Sequence, residues 1–128
     1  MKNLICIDTN ILIRFLRADD KKLSAKAKEI FSKASEGKIK IYLDEVIVAE
    51  IIWLLSSFYK QKRIKIASQL QELISQDWIV NPRKKLILAA LSIYSNTNLH
   101  YVDSWLWWVN NSIGGKLATF DKDLQKQK

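Results

Sequence analysis

The sequence predicts an α/β fold: a three-layer α/β/α sandwich around a mostly parallel central sheet. Three observations carry that prediction. Short apolar runs of strand length alternate with longer stretches of helical spacing. Helix breakers are scarce, with three Gly and one Pro in 128 residues. Hydrophobic residues make up 48% of the chain, enough for the core of one domain of ordinary size over residues 1–128.

The elements follow in order. Residues 3–7, NLICI, form an apolar run of strand length, and TNILIRFLR opens a helix directly after it. Ser24 is the expected N-cap of a second helix through Ala34, with Gly37 as its stop. KIKIYL at 38–43 alternates polar and apolar residues, as a strand does. Asp44 can cap a helix over 45–58, which is apolar nearly all round and so expected to be central. A more amphipathic helix covers about 64–75. WIV at 78–80 is a short strand, ended by Asn81-Pro82. Helical spacing returns over 83–95, with Leu86, Ala89, Ala90 and Ile93 on one face, and again over 102–112. Gly114-Gly115 breaks that last helix, and KLATF at 116–120 reads as a final strand. In such sheets functional groups gather at the carboxyl ends of the strands.

Composition narrows the function. The one cysteine, Cys6, excludes an intramolecular disulfide and any Cys-rich metal site. No apolar run reaches the ~20 residues that span a bilayer. MKNLICID does not read as a signal peptide, so a cytoplasmic location is expected. The formal charge is +8, from 21 basic and 13 acidic residues. That excess favours a polyanionic partner. Basic residues cluster at KQKRIK (60–65), RKK (83–85) and the C-terminal tail; each cluster could equally be a solvated face.

Four acids stand in apolar surroundings. Asp8 ends the first apolar run, LICID. Glu50 is the one charge in VIVAEIIWLL, with Val46, Trp53 and Leu54 as helical neighbours, so it is expected to face the interior. Asp103 is the one formal charge in LHYVDSWLWWV, and Asp121 follows LATF. Singly, each has a structural explanation: Asp8 as a helix cap, Asp103 in the first turn of its helix, Asp121 in a turn, Glu50 paired with a lysine. Together they suggest a shared partner. Two carboxylates ~4 Å apart repel by roughly 4 kcal/mol at an effective dielectric near 20, unless protonation or a cation relieves them. Mg²⁺ prefers oxygen ligands, and no His or Cys cluster competes, because His100 is the lone histidine. Setting the four acids aside leaves 21 basic residues against nine acids. An acidic metal pocket on a basic body is the charge pattern of a metal-dependent nuclease: the body attracts phosphates and the ion activates water.

The pieces IDTNILI, VAEI, VDSWL and LATFDKDL occur in an order and spacing that resemble the PIN-domain ribonucleases, in particular the toxins of VapBC-type toxin–antitoxin modules. The resemblance spans nearly the whole chain. It implies a PIN-like α/β/α fold and a catalytic, metal-binding set of Asp8, Glu50, Asp103 and Asp121. It implies auxiliary roles for Thr9, Asn10, Thr119 and Asp123. It further implies Mg²⁺ or Mn²⁺ dependence, endonucleolytic cleavage of RNA (transfer or ribosomal RNA), a small antitoxin partner and a homodimer. Candidate RNA contacts are Arg14, Lys60, Lys62, Arg63, Arg83, Lys84 and Lys85.

The chain departs from the family in its aromatic bulk after the third acid: Trp105, Trp107 and Trp108. Trp107, one turn from Asp103, is a candidate base-stacking residue; filling a core or a dimer interface is the weightier reading for all three. The alternative function is an inactive PIN-like domain that binds nucleic acid or protein. A phosphatase working through a covalent aspartate is disfavoured, since Asn10 stands where its second acid belongs. A receiver-type domain is disfavoured too, having no use for an acid in the third helix.

Overall fold

The computed structural model describes residues 3–127. Three short strands, β1 (Leu4–Cys6), β2 (Lys40–Tyr42) and β3 (Ile79–Val80), form a parallel sheet in the order β1-β2-β3. Between β1 and β2 run α1 (Thr9–Arg17) and α2 (Lys21–Ser35). Between β2 and β3 run α3 (Glu45–Trp53), a π-helical turn over Leu54–Phe58, and α4 (Arg63–Ile74). After β3 come α5 (Lys84–Asn96), α6 (Tyr101–Ile113) and the short α7 (Lys122–Lys126). The protein is therefore mostly helical, on a parallel three-stranded sheet.

Acidic caps start four of the helices, α1, α2, α3 and α7. Asp8 Oδ1 accepts from the Ile11 amide at 3.0 Å, and Asp20 Oδ1 from the Leu23 amide at 2.9 Å. Asp44 accepts from Val46, and Asp121 from Leu124. Asp20 thus displaces Ser24 as the cap of α2, which begins a turn earlier than expected; Ser24 Oγ is left without a partner. Aspartate next to a glycine-free polar stretch wins because its carboxylate also answers the positive end of the helix dipole.

The core is built from β-branched and leucine side chains. Ile41, Val48, Ile51, Leu55, Ile66, Leu70, Ile87 and Leu91 share one buried cluster. On α5 the buried stripe is Ile87, Ala90, Leu91 and Tyr94, rotated by about one residue from the expected face. Phe15 of α1 stacks on Phe31 of α2 with centroids 3.9 Å apart, and Phe31 meets Trp78 edge-on. These contacts join α1 to α2, and α2 to Trp78 just before β3.

Two expectations fail. KLATF at 116–120 is not a strand: the backbone is irregular there, and Phe120 is fully exposed. One side of β1 consequently stays unpaired, with Ile5 and Cys6 exposed. Helix α3 is not central on all sides either. Val48, Ile51 and Ile52 are buried, but Val46 is 68% exposed and Trp53 is 64% exposed.

Candidate active site

Asp8 stands just beyond the carboxyl end of β1, where the chain turns into α1. It is exposed, and one carboxylate oxygen is committed to the Ile11 amide. Thr9, beside it, is 7% exposed, and its Oγ1 has no hydrogen-bond partner. Asn10 is exposed.

Glu50 lies on the solvent face of α3, not toward the interior. Apolar neighbours at helical spacing misled the prediction, because Val46 and Trp53 are themselves exposed. Asp103 occupies the first turn of α6, half-buried, where the helix dipole favours its charge. Asp121 caps α7 through Leu124, and its own amide donates to Thr119 Oγ1 at 3.0 Å. Asp123 is exposed in the first turn of α7.

Among the described residues, ion pairs join Arg17–Asp19, Lys33–Glu29, Lys38–Glu36 and Arg83–Glu45. None involves Asp8, Glu50, Asp103 or Asp121, in a chain with 21 basic residues. As donors, these carboxylates fit a hard cation: oxygen ligands without a competing ammonium or guanidinium. Their gathering is another matter. Among the described residues no group of three or more His, Cys, Asp or Glu lies close enough to hold a metal ion. Asp121 is held by its helix cap after the irregular 116–120 stretch, not by a strand beside β1.

Several basic residues singled out in the sequence have structural partners. The Arg63 guanidinium donates from Nε to the Tyr94 carbonyl at 3.0 Å and from Nη2 to the Leu99 carbonyl, and lies over the Tyr94 ring. Arg83 pairs with Glu45 at 3.3 Å and lies over Trp105. Lys84 Nζ donates to the carbonyls of Gln76 and Ile79, and burial lowers its pKa. Lys60, Lys62 and Lys85 are exposed without ion pairs among the described residues, and Arg14 lines a surface cavity with Lys21 and Lys28. Trp107 donates its indole N–H to the Gln127 carbonyl at 3.0 Å and meets Trp108 edge-on, so it fastens the C-terminal segment to α6. Trp105 and Trp108 pack against the core.

Sequence reasoning missed Asn81. It is 7% exposed, and its Nδ2 donates to the Leu43 carbonyl at 2.9 Å and to Glu45 Oε1 at 2.7 Å. Its Oδ1 accepts from the Arg83 amide at 2.7 Å. Asn81 thus ties the end of β2 to the end of β3. The available signal was an amide directly after WIV, at a strand's carboxyl end. Tyr101 was missed as well: it is 5% exposed, and its hydroxyl has no partner. Burial, and then the nearby Glu45 carboxylate, push its pKa well up.

The chain is a parallel α/β protein with one acid after β1, one on α3, one in the first turn of α6 and one capping α7. The PIN domain family matches residues 5–128, and the chain belongs to that family. It is also similar to the "VapC ribonuclease" of Aquifex aeolicus (strain VF5), 23% identical over 97 residues, covering 76% of this chain and 71% of that protein. No solved structure matches the chain significantly.

Proposed function

We propose that this chain is a divalent-metal-dependent endoribonuclease, the toxin of a VapBC-type toxin–antitoxin module, folding as one domain over residues 1–128. The PIN family match over residues 5–128 is the observation that supports it most. The name of the Aquifex aeolicus relative supports ribonuclease over deoxyribonuclease. That Asp8, Glu50, Asp103 and Asp121 form no ion pair among the described residues supports oxygen donors free for a hard cation. A cytoplasmic location is part of this reading, and no helix among the described residues is long and apolar enough to cross a membrane.

Asp8, Glu50, Asp103 and Asp121 would hold Mg²⁺ or Mn²⁺. When bound, that ion lowers the pKa of water and offsets phosphate charge. The chain's own carboxylates accept hydrogen bonds from the attacking water and orient it in line with the scissile phosphodiester. Thr9 Oγ1, the neighbour of Asp8 in sequence, is buried and has no hydrogen-bond partner among the described residues, and it is an auxiliary residue of this reading. Lys60, Lys62 and Lys85 attract the RNA backbone. A small antitoxin protein and a second copy of the chain are the partners this reading implies, and transfer or ribosomal RNA the substrate. The rival reading, an inactive PIN-like binding domain, has no observation in its favour beyond the ungathered acids.

The test is to treat total cellular RNA with the purified chain in Mg²⁺ or Mn²⁺ and map the new ends, beside Asp8→Asn. Asparagine still caps a helix, so the fold is expected to survive while cleavage disappears. Full metal-dependent cleavage by Asp8→Asn would sink the assignment.

A further inference from the structure

One cavity of about 430 Å³ has part of its wall formed by Arg63 and Tyr94. It lies between the end of α3 with its π-helical turn and the beginning of α6, within the roughly 300–1,000 Å³ of small-molecule sites. Trp53, Ser56, Ser57, His100, Tyr101 and Val102 line it. Trp53 is 64% exposed and lies one helical turn from Glu50, on the solvent face that also carries Val46. Val102 precedes Asp103 directly. The cavity is thus lined by residues from the two elements, α3 and α6, that carry Glu50 and Asp103.

Its chemistry is mixed in a particular way. An indole face stands free on one wall. Two serine hydroxyls and an imidazole provide hydrogen-bond donors and acceptors, and the Tyr101 hydroxyl is buried without a partner. A purely apolar side chain from a protein partner would leave those polar groups unanswered. A flat heterocycle with polar edges answers both. The charge around the cavity points the same way. Arg63 forms a wall shared with a second cavity of about 570 Å³, lined also by Lys62, Ser95, Asn96 and Thr97. Lys62, exposed in that second cavity, makes no ion pair among the described residues. A base in the first cavity would thus have cationic groups next door for the adjoining phosphate.

We infer that the cavity between α3 and α6 is a nucleobase subsite for single-stranded RNA, with Trp53 as its stacking platform. This rests on the ribonuclease reading and adds to it a positioning role. Trp53 holds one unstacked base on the α3–α6 side of the molecule, and Ser56, Ser57 and His100 read its edge. Trp107, engaged with Gln127, does not take that part. Only an unpaired base can enter, so the substrate segment is single-stranded.

The test separates this subsite from catalysis. The full chain is titrated, in EDTA and in Ca²⁺, with a short single-stranded RNA and with a series in which each member lacks one base. Stacking of one base on an aromatic ring predicts that losing one particular base weakens binding about 5- to 100-fold. Trp53→Ala should weaken binding of the intact RNA by a similar factor and become indifferent to the loss of that base. Trp53→Tyr should restore most of the affinity. If Trp53→Ala binds every RNA as the unmodified chain does, the inference is overturned. It is equally overturned if Trp53→Ala alters the sedimenting mass while RNA binding is untouched, because the face is then a protein contact. Coupling between Trp53 and one base without any cleavage of RNA would keep the subsite and remove the nuclease reading instead.

Discussion

Asp8 serves two masters, and substitutions can separate them. Its carboxylate caps α1 through the Ile11 amide, and it is one of the four acids proposed for catalysis. Asp8→Ala should lose about 1 kcal/mol of stability with the cap, whereas Asp8→Asn should lose far less. Both should be inactive. Urea unfolding beside a cleavage assay reads the two effects independently. A second residue, Tyr101, predicts a pH dependence. Its folded pKa is raised above the ordinary value of 10.0, first by burial and then by Glu45. The folded state therefore keeps the phenol proton longer than the unfolded state does. The resulting stability is complete below pH 10.0 and declines as pH rises above it. Tyr101→Phe should flatten that alkaline decline. It should also be neutral or stabilising at pH 7, because it removes a buried hydroxyl with no partner. An unchanged alkaline limb in Tyr101→Phe would assign the decline to another group.

Elements were more legible in the sequence than the directions their side chains take. The strands at 4–6, 40–42 and 79–80 were visible because apolar runs of that length, bounded by polar or turn residues, have few other uses. Helices 84–96 and 101–113 were visible through their spacing and the Gly114-Gly115 stop. Orientation was harder. Glu50 was expected inside because its helical neighbours are apolar, yet exposed apolar side chains are common and Trp53 is one of them. KLATF has the alternation of a strand but lacks a pairing partner in the structure, and local pattern says nothing about partners. Of the site, the identities of the acids were legible through motif order; their mutual distances were not. Basic side chains resisted prediction most, since Arg63 reads as a surface charge but is bonded to two carbonyls. Arg63→Ala should cost about 2–3 kcal/mol, from the loss of charge-assisted bonds that join α4 to the end of α5. Arg63→Lys should recover little, because a single ammonium cannot copy the two-directional fork over the Tyr94 ring. Chemical denaturation of the three proteins would show it, and full recovery by lysine would refute the fork's role.

For the whole molecule, the excess of basic residues is the dominant long-range property. With a formal charge of +8, attraction to RNA should weaken steeply with salt. A plot of log affinity against log salt should be linear, with a slope of about −0.7 for each phosphate neutralised on a single strand. Lys62→Ala and Lys60→Ala should each make that slope shallower by roughly one phosphate's worth and leave base preference alone. Trp53→Ala should do the reverse, preserving the slope and erasing the preference. A charge substitution that changed base preference without touching the slope would contradict this division of labour.

The turn over Leu54–Phe58 carries a consequence for chain length. The Tyr59 N–H donates to the Leu54 carbonyl at 3.1 Å, five residues back, one more than in an α-helix. The helix thus holds a supernumerary residue within the stretch that supplies Ser56 and Ser57. Shortening the chain by one residue here would let ordinary helical winding resume without breaking α3 or moving β3. A relative lacking that residue would keep the fold while redrawing the wall beside Trp53. In an alignment, a one-residue gap at 56–57 would then be a mark of altered substrate choice, placed in a helix where gaps are usually read as error.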